Sequence, residues 1–496
     1  MNLTLLLEMA ADAAGDRVAV GRAVDGVTYA ELRDRAARVA GFLRSRGATR
    51  LVQAGQNSDA LPVLLFGSAL AGATFTSVNY RLTDDQLRAA LERCSPAVVA
   101  PDDRTAPRVA GIDGLDTCPG LLSPGDLGPA QVDPDPADDG EGVAIALFTS
   151  GTSGTPKTVL LRHRNLTSYV LGSTEFLGAE EDEAALVSVP PYHIAGMASV
   201  LSNVYLGRRI VYVPQFDAAT WVELARTEAI THAMIVPTML GRILDVVEET
   251  GVDLPALRHL SYGGGRMPLP VVRRAMELLP QVGFVNAYGL TETSSTVALL
   301  GPDDHRVAFA SDDPAVAARL GSVGRALPGV ELQIRDVDGT VLGPGEVGEI
   351  VVRGEQIAGE YEGKDAKDPD GWFPTNDHGR LDADGYLFVE GRADDVIVRG
   401  GENLSPGEIE DVLLQHPDVE EVAVVGAPDL EWGETVAAFV VPREGRVVEP
   451  DELRDFVRAR LRSSKTPALI EFREALPYSE TGKLLRRELR RGFAST

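Results

Sequence analysis

The sequence predicts an α/β fold: a large N-terminal part of layered, mostly parallel sheets and helices with a small β-rich subdomain, then a small α+β unit. Three observations carry this expectation. Short apolar runs alternate with helix-length segments between residues 186 and 286, as in strands joined by crossover helices. A glycine-rich, strand-like stretch begins near Gly321, and a new set of helices and strands begins after Gly391. A chain of 496 residues also exceeds one ordinary core, which favours about two to four domains.

Taken in order, Leu32, Ala36, Val39, Phe42 and Leu43 recur at helical spacing within Tyr29 to Arg46, with Thr28 as the expected cap. The uncharged run Ala60 to Tyr80 approaches the length of a membrane span, but its Pro, Gly and hydroxyl residues predict a buried helix followed by a strand. Thr105 to Asp139, rich in Pro, Gly and Asp, reads as irregular surface connection. Strands are expected at Leu186 to Val189, Arg209 to Val213, Ala233 to Val236, His259 to Ser261 and Val282 to Asn286. Helices are expected at Ala218 to Glu228 and Pro268 to Leu279. In the β-rich stretch Gly321 to Glu360, strands fall at Val330 to Ile334 and Glu349 to Val352. Asp336 to Gly339 and Asp382 to Gly385 have the composition of hairpin turns. The last unit reads as helix Pro406 to Leu414, strands Val419 to Val425 and Thr435 to Val441, and helix Pro450 to Arg462.

Composition excludes several classes. Hydrophobic residues make up 44% and charged residues 24%, which argues against a disordered or collagen-like chain. The net charge of −27 repels polyanions, so no nucleic-acid partner is expected and any bound phosphate must be held locally. Cys94 and Cys118 have no metal-ligand spacing. Leu3 and Leu5 to Leu7 are followed at once by Glu8 and Asp12, which does not read as a signal peptide. A cytoplasmic protein without a membrane span is expected, and nothing in the sequence sets its oligomeric state.

The strongest local signal is the run Thr149, Ser150, Gly151, Thr152, Ser153, Gly154, Thr155, Pro156, Lys157. Glycines admit an anion close to the backbone, while amides and hydroxyls wrap a polyphosphate. Pro156 excludes a Walker loop, which needs Gly before its Lys. The alternative is a solvated Ser/Gly linker, but the run stands between the apolar segments Val143 to Phe148 and Thr158 to Leu161.

This loop resembles the phosphate-binding signature of the adenylate-forming superfamily: acyl-CoA synthetases, peptide-synthetase adenylation domains and beetle luciferases, with related amide bond synthetases. Further motifs stand in the family's order: Tyr288-Gly289-Leu290-Thr291-Glu292, Gly371-Trp372-Phe373-Pro374-Thr375-Asn376-Asp377, Gly391-Arg392-Ala393-Asp394-Asp395, Gly400-Gly401-Glu402-Asn403, Pro406-Gly407-Glu408-Ile409-Glu410 and Leu476-Pro477-Tyr478-Ser479-Glu480-Thr481-Gly482-Lys483. Two departures stand out: Asn376 replaces the usual Gly, and Tyr478 stands where Arg is common.

The resemblance implies roles. Thr291 touches the α-phosphate and Glu292 holds magnesium, although Thr and Glu together also suit an ordinary helix start. Tyr288 lies against adenine, with Gly263, Gly264, Gly265, Asn286 and Ala287 around it. Asp377 takes the ribose hydroxyls, Arg392 contacts ribose or phosphate, and Asp394 is the hinge. His193, otherwise a core histidine, stands at the acyl pocket. Lys483, otherwise a solvated lysine, is the catalytic ammonium. The implied division is 1–392, binding ATP and acid, and 393–496, a mobile domain carrying Lys483.

The implied reaction is ATP-dependent activation of a carboxylic acid to an acyl adenylate with pyrophosphate release, then transfer to CoA. Transfer to an amine is the alternative. The segments placed around the acid, Tyr192 to Leu201, Val236 to Leu240, Tyr262 to Gly265 and Ala287 to Val297, contain no Arg or Lys. That disfavours a second carboxylate and suggests an aryl or medium-chain aliphatic acid.

Overall fold

The computed structural model describes residues 1–122, 127, 140–149, 157–392, 395–400, 402–478 and 484–493. In the largest sheet, Val18–Val20, Arg209–Tyr212, Ala184–Val187, His232–Ile235, His259–Gly263 and Gly283–Leu290 lie side by side and parallel. Antiparallel strands close both edges, Ser295–Leu300 and Arg325–Ala326 on one side and Val27–Thr28 on the other. Every residue of the central strand Ala184–Val187 is buried, as expected for a parallel sheet covered on both faces.

A second sheet aligns Val143–Thr149, Thr74–Ser77, Arg50–Ala54, Ala97–Pro101 and Leu115–Thr117 in parallel. Lys157–Arg162 then runs back antiparallel to Val143–Thr149 and pairs with the short strand Glu360–Tyr361. Helices Thr4–Ala14, Tyr29–Ser45, Ala60–Ala71 and Ile194–Leu206 share one apolar core with both sheets. The buried helix Ala60–Ala71 and strand Thr74–Ser77 account for the long uncharged run. No helix among the described residues is long and apolar enough to cross a membrane. Tyr29–Ser45 starts at Thr28 with a full capping box, in which Thr28 and Glu31 satisfy each other's backbone amides.

The β-rich stretch forms an antiparallel sheet of Glu331–Arg335, Gly348–Arg353, Phe373–Leu381 and Leu387–Arg392. Both expected turns occur: Gly339 donates to the Asp336 carbonyl and Gly385 to the Asp382 carbonyl. A last sheet joins Ile397–Arg399, Glu402–Leu404, Gly433–Pro442, Val419–Asp429 and Leu469–Phe472.

The structure corrects the reading of Thr105 to Asp139 as wholly irregular. Ala106–Val109 is a helical turn, and Leu115–Thr117 is an edge strand parallel to Ala97–Val99. Three residues carry no periodicity; their extended shape comes from pairing with a strand 18 positions earlier, Leu115 opposite Ala97. The strand expected at Val282 to Asn286 continues to Leu290.

Candidate active site

His193, Gly263, Thr291 and Glu292 stand at or just beyond the carboxyl ends of parallel strands, where α/β sheets leave a crevice, whereas Asp377 and Arg392 come from the antiparallel sheet. In the large sheet, Ala184–Val187 is flanked by Arg209–Tyr212 and His232–Ile235, so the chain departs from it to both sides. His193 follows this central strand and immediately precedes helix Ile194–Leu206. Two strands further on, Gly263 ends His259–Gly263, and Thr291 and Glu292 follow Gly283–Leu290. Gly263 faces Ala287 in register. A Cβ there would collide with the Ala287 carbonyl oxygen, so only glycine allows that approach.

Thr291–Thr293 is a single 3-10 turn leading straight into strand Ser295–Leu300. The alternative of an ordinary helix start therefore does not hold for Thr291 and Glu292. Glu292 Oε1 accepts from the Tyr361 hydroxyl at 2.8 Å, and the Glu292 carbonyl accepts from the Gly359 amide at 2.9 Å. Tyr361 pairs with Val159 on the strand leaving the Ser/Gly loop, and the Lys157 ammonium lies 5.2 Å from its ring centre. Thr149 and Lys157 face each other and close the base of that loop. Ser150, Gly151, Thr152, Ser153, Gly154 and Thr155 lie outside the described residues.

A second tyrosine makes a parallel connection. The Tyr288 hydroxyl donates to Asp377 Oδ2 at 2.8 Å, and Arg392 Nε stands 3.3 Å from Oδ1. Asp377 is 6% exposed and pairs in register with Arg392. Its turn works with Asn in the usual glycine position: Asn376 has φ +58°, a left-handed conformation that Asn adopts more readily than most residues. Asn286 Nδ2 donates to the Ser322 carbonyl at 2.9 Å. The side chain expected near the nucleotide is thus engaged with its own framework.

His193 is part-buried, and its buried Nε2 has no hydrogen-bond partner among the described residues. Burial, aided by the positive charge of Arg81, pushes its pKa down to about 4, so it is neutral at neutral pH. Tyr192 packs against its ring at 4.7 Å, and Tyr80 packs edge-on against Tyr192 at 6.0 Å. Arg81 thus adds a cation beside segments that contain none of their own. It comes from the other sheet's side of the fold and no local pattern marks it.

Lys483 and Asp394 also lie outside the described residues. The base of the lysine loop is defined: Tyr478 bridges Leu484, and the Leu485 amide donates to the Pro477 carbonyl at 2.8 Å. Next to it, Arg486 Nη2 donates to Glu410 Oε1 at 2.5 Å. Across the chain, Arg266 is paired with Asp411, and its guanidinium occupies the space a side chain at Gly407 would need.

Tyr361 is the residue that reading the sequence omits. It lies 69 positions from Glu292, and a tyrosine between Glu360 and Glu362 gives no short-range signal.

The family model of the AMP-binding enzyme matches residues 7–362, and that of the AMP-binding enzyme C-terminal domain matches 408–483. A feruloyl-CoA synthase of Amycolatopsis is 34% identical over 478 residues, covering 94% of each chain. The o-succinylbenzoate CoA synthetase of Bacillus subtilis, solved with its acyl-adenylate intermediate, superposes with TM-score 0.85 at 28% identity, covering 98% of this chain and 97% of that one. The amide bond synthetase of Marinactinospora thermotolerans superposes with TM-score 0.86 at 27% identity, covering 99% and 100%. With both family models matched in order and relatives covered nearly end to end, the chain belongs to the AMP-binding enzyme family and is an adenylate-forming ligase.

Proposed function

We propose that this chain is an ATP-dependent carboxylate–CoA ligase acting on an aryl or medium-chain aliphatic acid. One observation carries the reading: the Tyr361 hydroxyl holds Glu292 and the Tyr288 hydroxyl holds Asp377, with the positive charge of Arg392 acting on both tyrosines and Tyr361 paired to the strand that leaves the Ser/Gly loop. The similarity to a feruloyl-CoA synthase supports both the acid class and the thiol acceptor.

In this reading the loop from Thr149 to Lys157 wraps the departing phosphates. Gly263, Gly264, Gly265, Asn286, Ala287 and Tyr288 frame adenine, Asp377 accepts from the ribose hydroxyls, and Arg392 steadies Asp377 or the phosphate. Thr291 binds the α-phosphate. Glu292 suits magnesium: no cluster of three or more His, Cys, Asp or Glu that could cage a metal occurs among the described residues. A single carboxylate beside hydroxyls and phosphates matches a hard ion that keeps several waters. Bound there, magnesium would supply neutralisation of phosphate charge.

The substrate carboxylate oxygen attacks the α-phosphorus and the bond to pyrophosphate breaks. Lys483 neutralises charge on both reacting groups. His193, neutral and part-buried, offers a hydrogen bond at the acid without competing as a cation. The unit from 393 onward then turns about Asp394, and the pantetheine thiol attacks the acyl carbon, releasing AMP. A second reading, transfer to an amine, is favoured by Tyr478, which stands where the family often has Arg, and by the fold similarity to the amide bond synthetase.

Acid-dependent ATP–pyrophosphate exchange over a panel of aryl, aliphatic and dicarboxylic acids, followed by product analysis with CoA or amines, tests the reading. Exchange is expected with cinnamate-like or medium-chain acids and thioester with CoA. Lys483→Ala should lower exchange by at least about a hundredfold, as loss of a transition-state charge partner does. Exchange unaffected by Lys483→Ala would exclude adenylation by this lysine; preference for malonate would exclude the acid class; amide without thioester would select the second reading.

A further inference from the structure

Tyr361 is part-buried and anchored through its neighbours. Its neighbour Glu360 is held by Arg162 through two bonds of 2.8 Å, the Gly359 amide donates to the Glu292 carbonyl, and Tyr361 itself pairs with Val159. Its hydroxyl reaches Glu292 Oε1 at 2.8 Å, and no other side-chain partner of Glu292 occurs among the described residues. Its ring lies below the Lys157 ammonium, 5.2 Å from the centroid, within the range of a cation–π contact.

From this arrangement we infer that Tyr361 is a positioning residue for the nucleotide-bound divalent cation: by holding Glu292 Oε1 it presents Oε2 to the metal, and its ring aims Lys157 at the same phosphates. The inference rests on the proposed role of Glu292. It makes one aromatic residue set the geometry of two opposite charges: the hydroxyl serves the carboxylate and the ring face serves the ammonium. Removing only the hydroxyl should therefore affect the metal, while removing the ring should also affect the nucleotide.

The test uses the full chain with Mn2+ as the probe, titrated by electron paramagnetic resonance in the presence of a non-hydrolysable ATP analogue. Tyr361→Phe is expected to raise the Mn2+ dissociation constant roughly three- to tenfold, the range for losing a hydrogen bond to a charged group that water partly replaces. The Mg2+ concentration giving half-maximal pyrophosphate exchange should rise in parallel, with kcat at saturating Mg2+ within about twofold and thermal melting unchanged. Tyr361→Leu should additionally weaken the ATP analogue. Wild-type Mn2+ affinity in Tyr361→Phe would overturn the inference, provided Glu292→Gln does weaken Mn2+. Glu292→Gln with unchanged Mn2+ affinity would overturn the role of Glu292 itself, a separate failure.

Discussion

At the residue scale, Asn376 shows how a departure from a family pattern can be absorbed. Its φ of +58° costs a β-branched residue about 1–2 kcal/mol, roughly tenfold in an equilibrium. Asn376→Gly should leave the KM for ATP unchanged. Asn376→Val should raise that KM about tenfold by displacing Asp377, and initial rates against ATP concentration would show it. His193 makes a different kind of statement. Its folded pKa of about 4 lies below the ordinary 6.5. Between those values the unfolded chain binds a proton that the folded chain refuses, so stability falls as pH drops from 6.5 towards 4. The full effect is on the order of 3 kcal/mol. Urea unfolding at pH 7.5 and 5.0 should show a smaller loss in His193→Gln than in wild type. The difference will be partial, because burial lowers the pKa values of His232, His259 and His305 as well.

At the element scale, what the sequence disclosed followed from local physics. The capping box at Thr28 and Glu31, the fully buried helix Ala60–Ala71, and the Asp/Gly turns closing hairpins are each written within a few neighbouring residues. So were the two strands on either side of the Ser/Gly run, whose ends Thr149 and Lys157 face each other, because an apolar segment flanks the run on each side. Leu115–Thr117 and Tyr361 were not legible, and for one reason: both acquire their role from a strand elsewhere in the chain. Arg81 belongs with them, since only the fold brings it near His193. The reach of Gly283–Leu290 was underestimated because its second half, Ala287 to Leu290, is only partly buried and lacks a continuous apolar run.

At the scale of the whole molecule, the net charge of −27 sits comfortably with nucleotide binding when amides, hydroxyls and a few fixed cations do the holding. The proposed boundary near residue 393 is bridged by Arg266, paired with Asp411 and packed on the backbone of Gly407. Rotation of the last unit away from this arrangement must break that pair. Because Arg266 is 41% exposed, the pair is worth only about 1 kcal/mol, yet that shifts a two-state balance about fivefold. Arg266→Ala should change the ratio of pyrophosphate exchange to thioester formation at least about threefold, and Arg266→Asp with Asp411→Arg should move it back. An unchanged ratio would mean the pair does not bias the orientation.

The bridge between Tyr478 and Leu484, reinforced by the bond from Leu485 to Pro477, brings together the chain on either side of residues 479–483. Both ends of the loop run into one small apolar cluster through Leu476 and Leu489, which pack with Ala423 and Phe439. In the proposed mechanism, therefore, any displacement of Lys483 relative to the phosphates is a displacement of the terminal sheet in which both flanks are anchored.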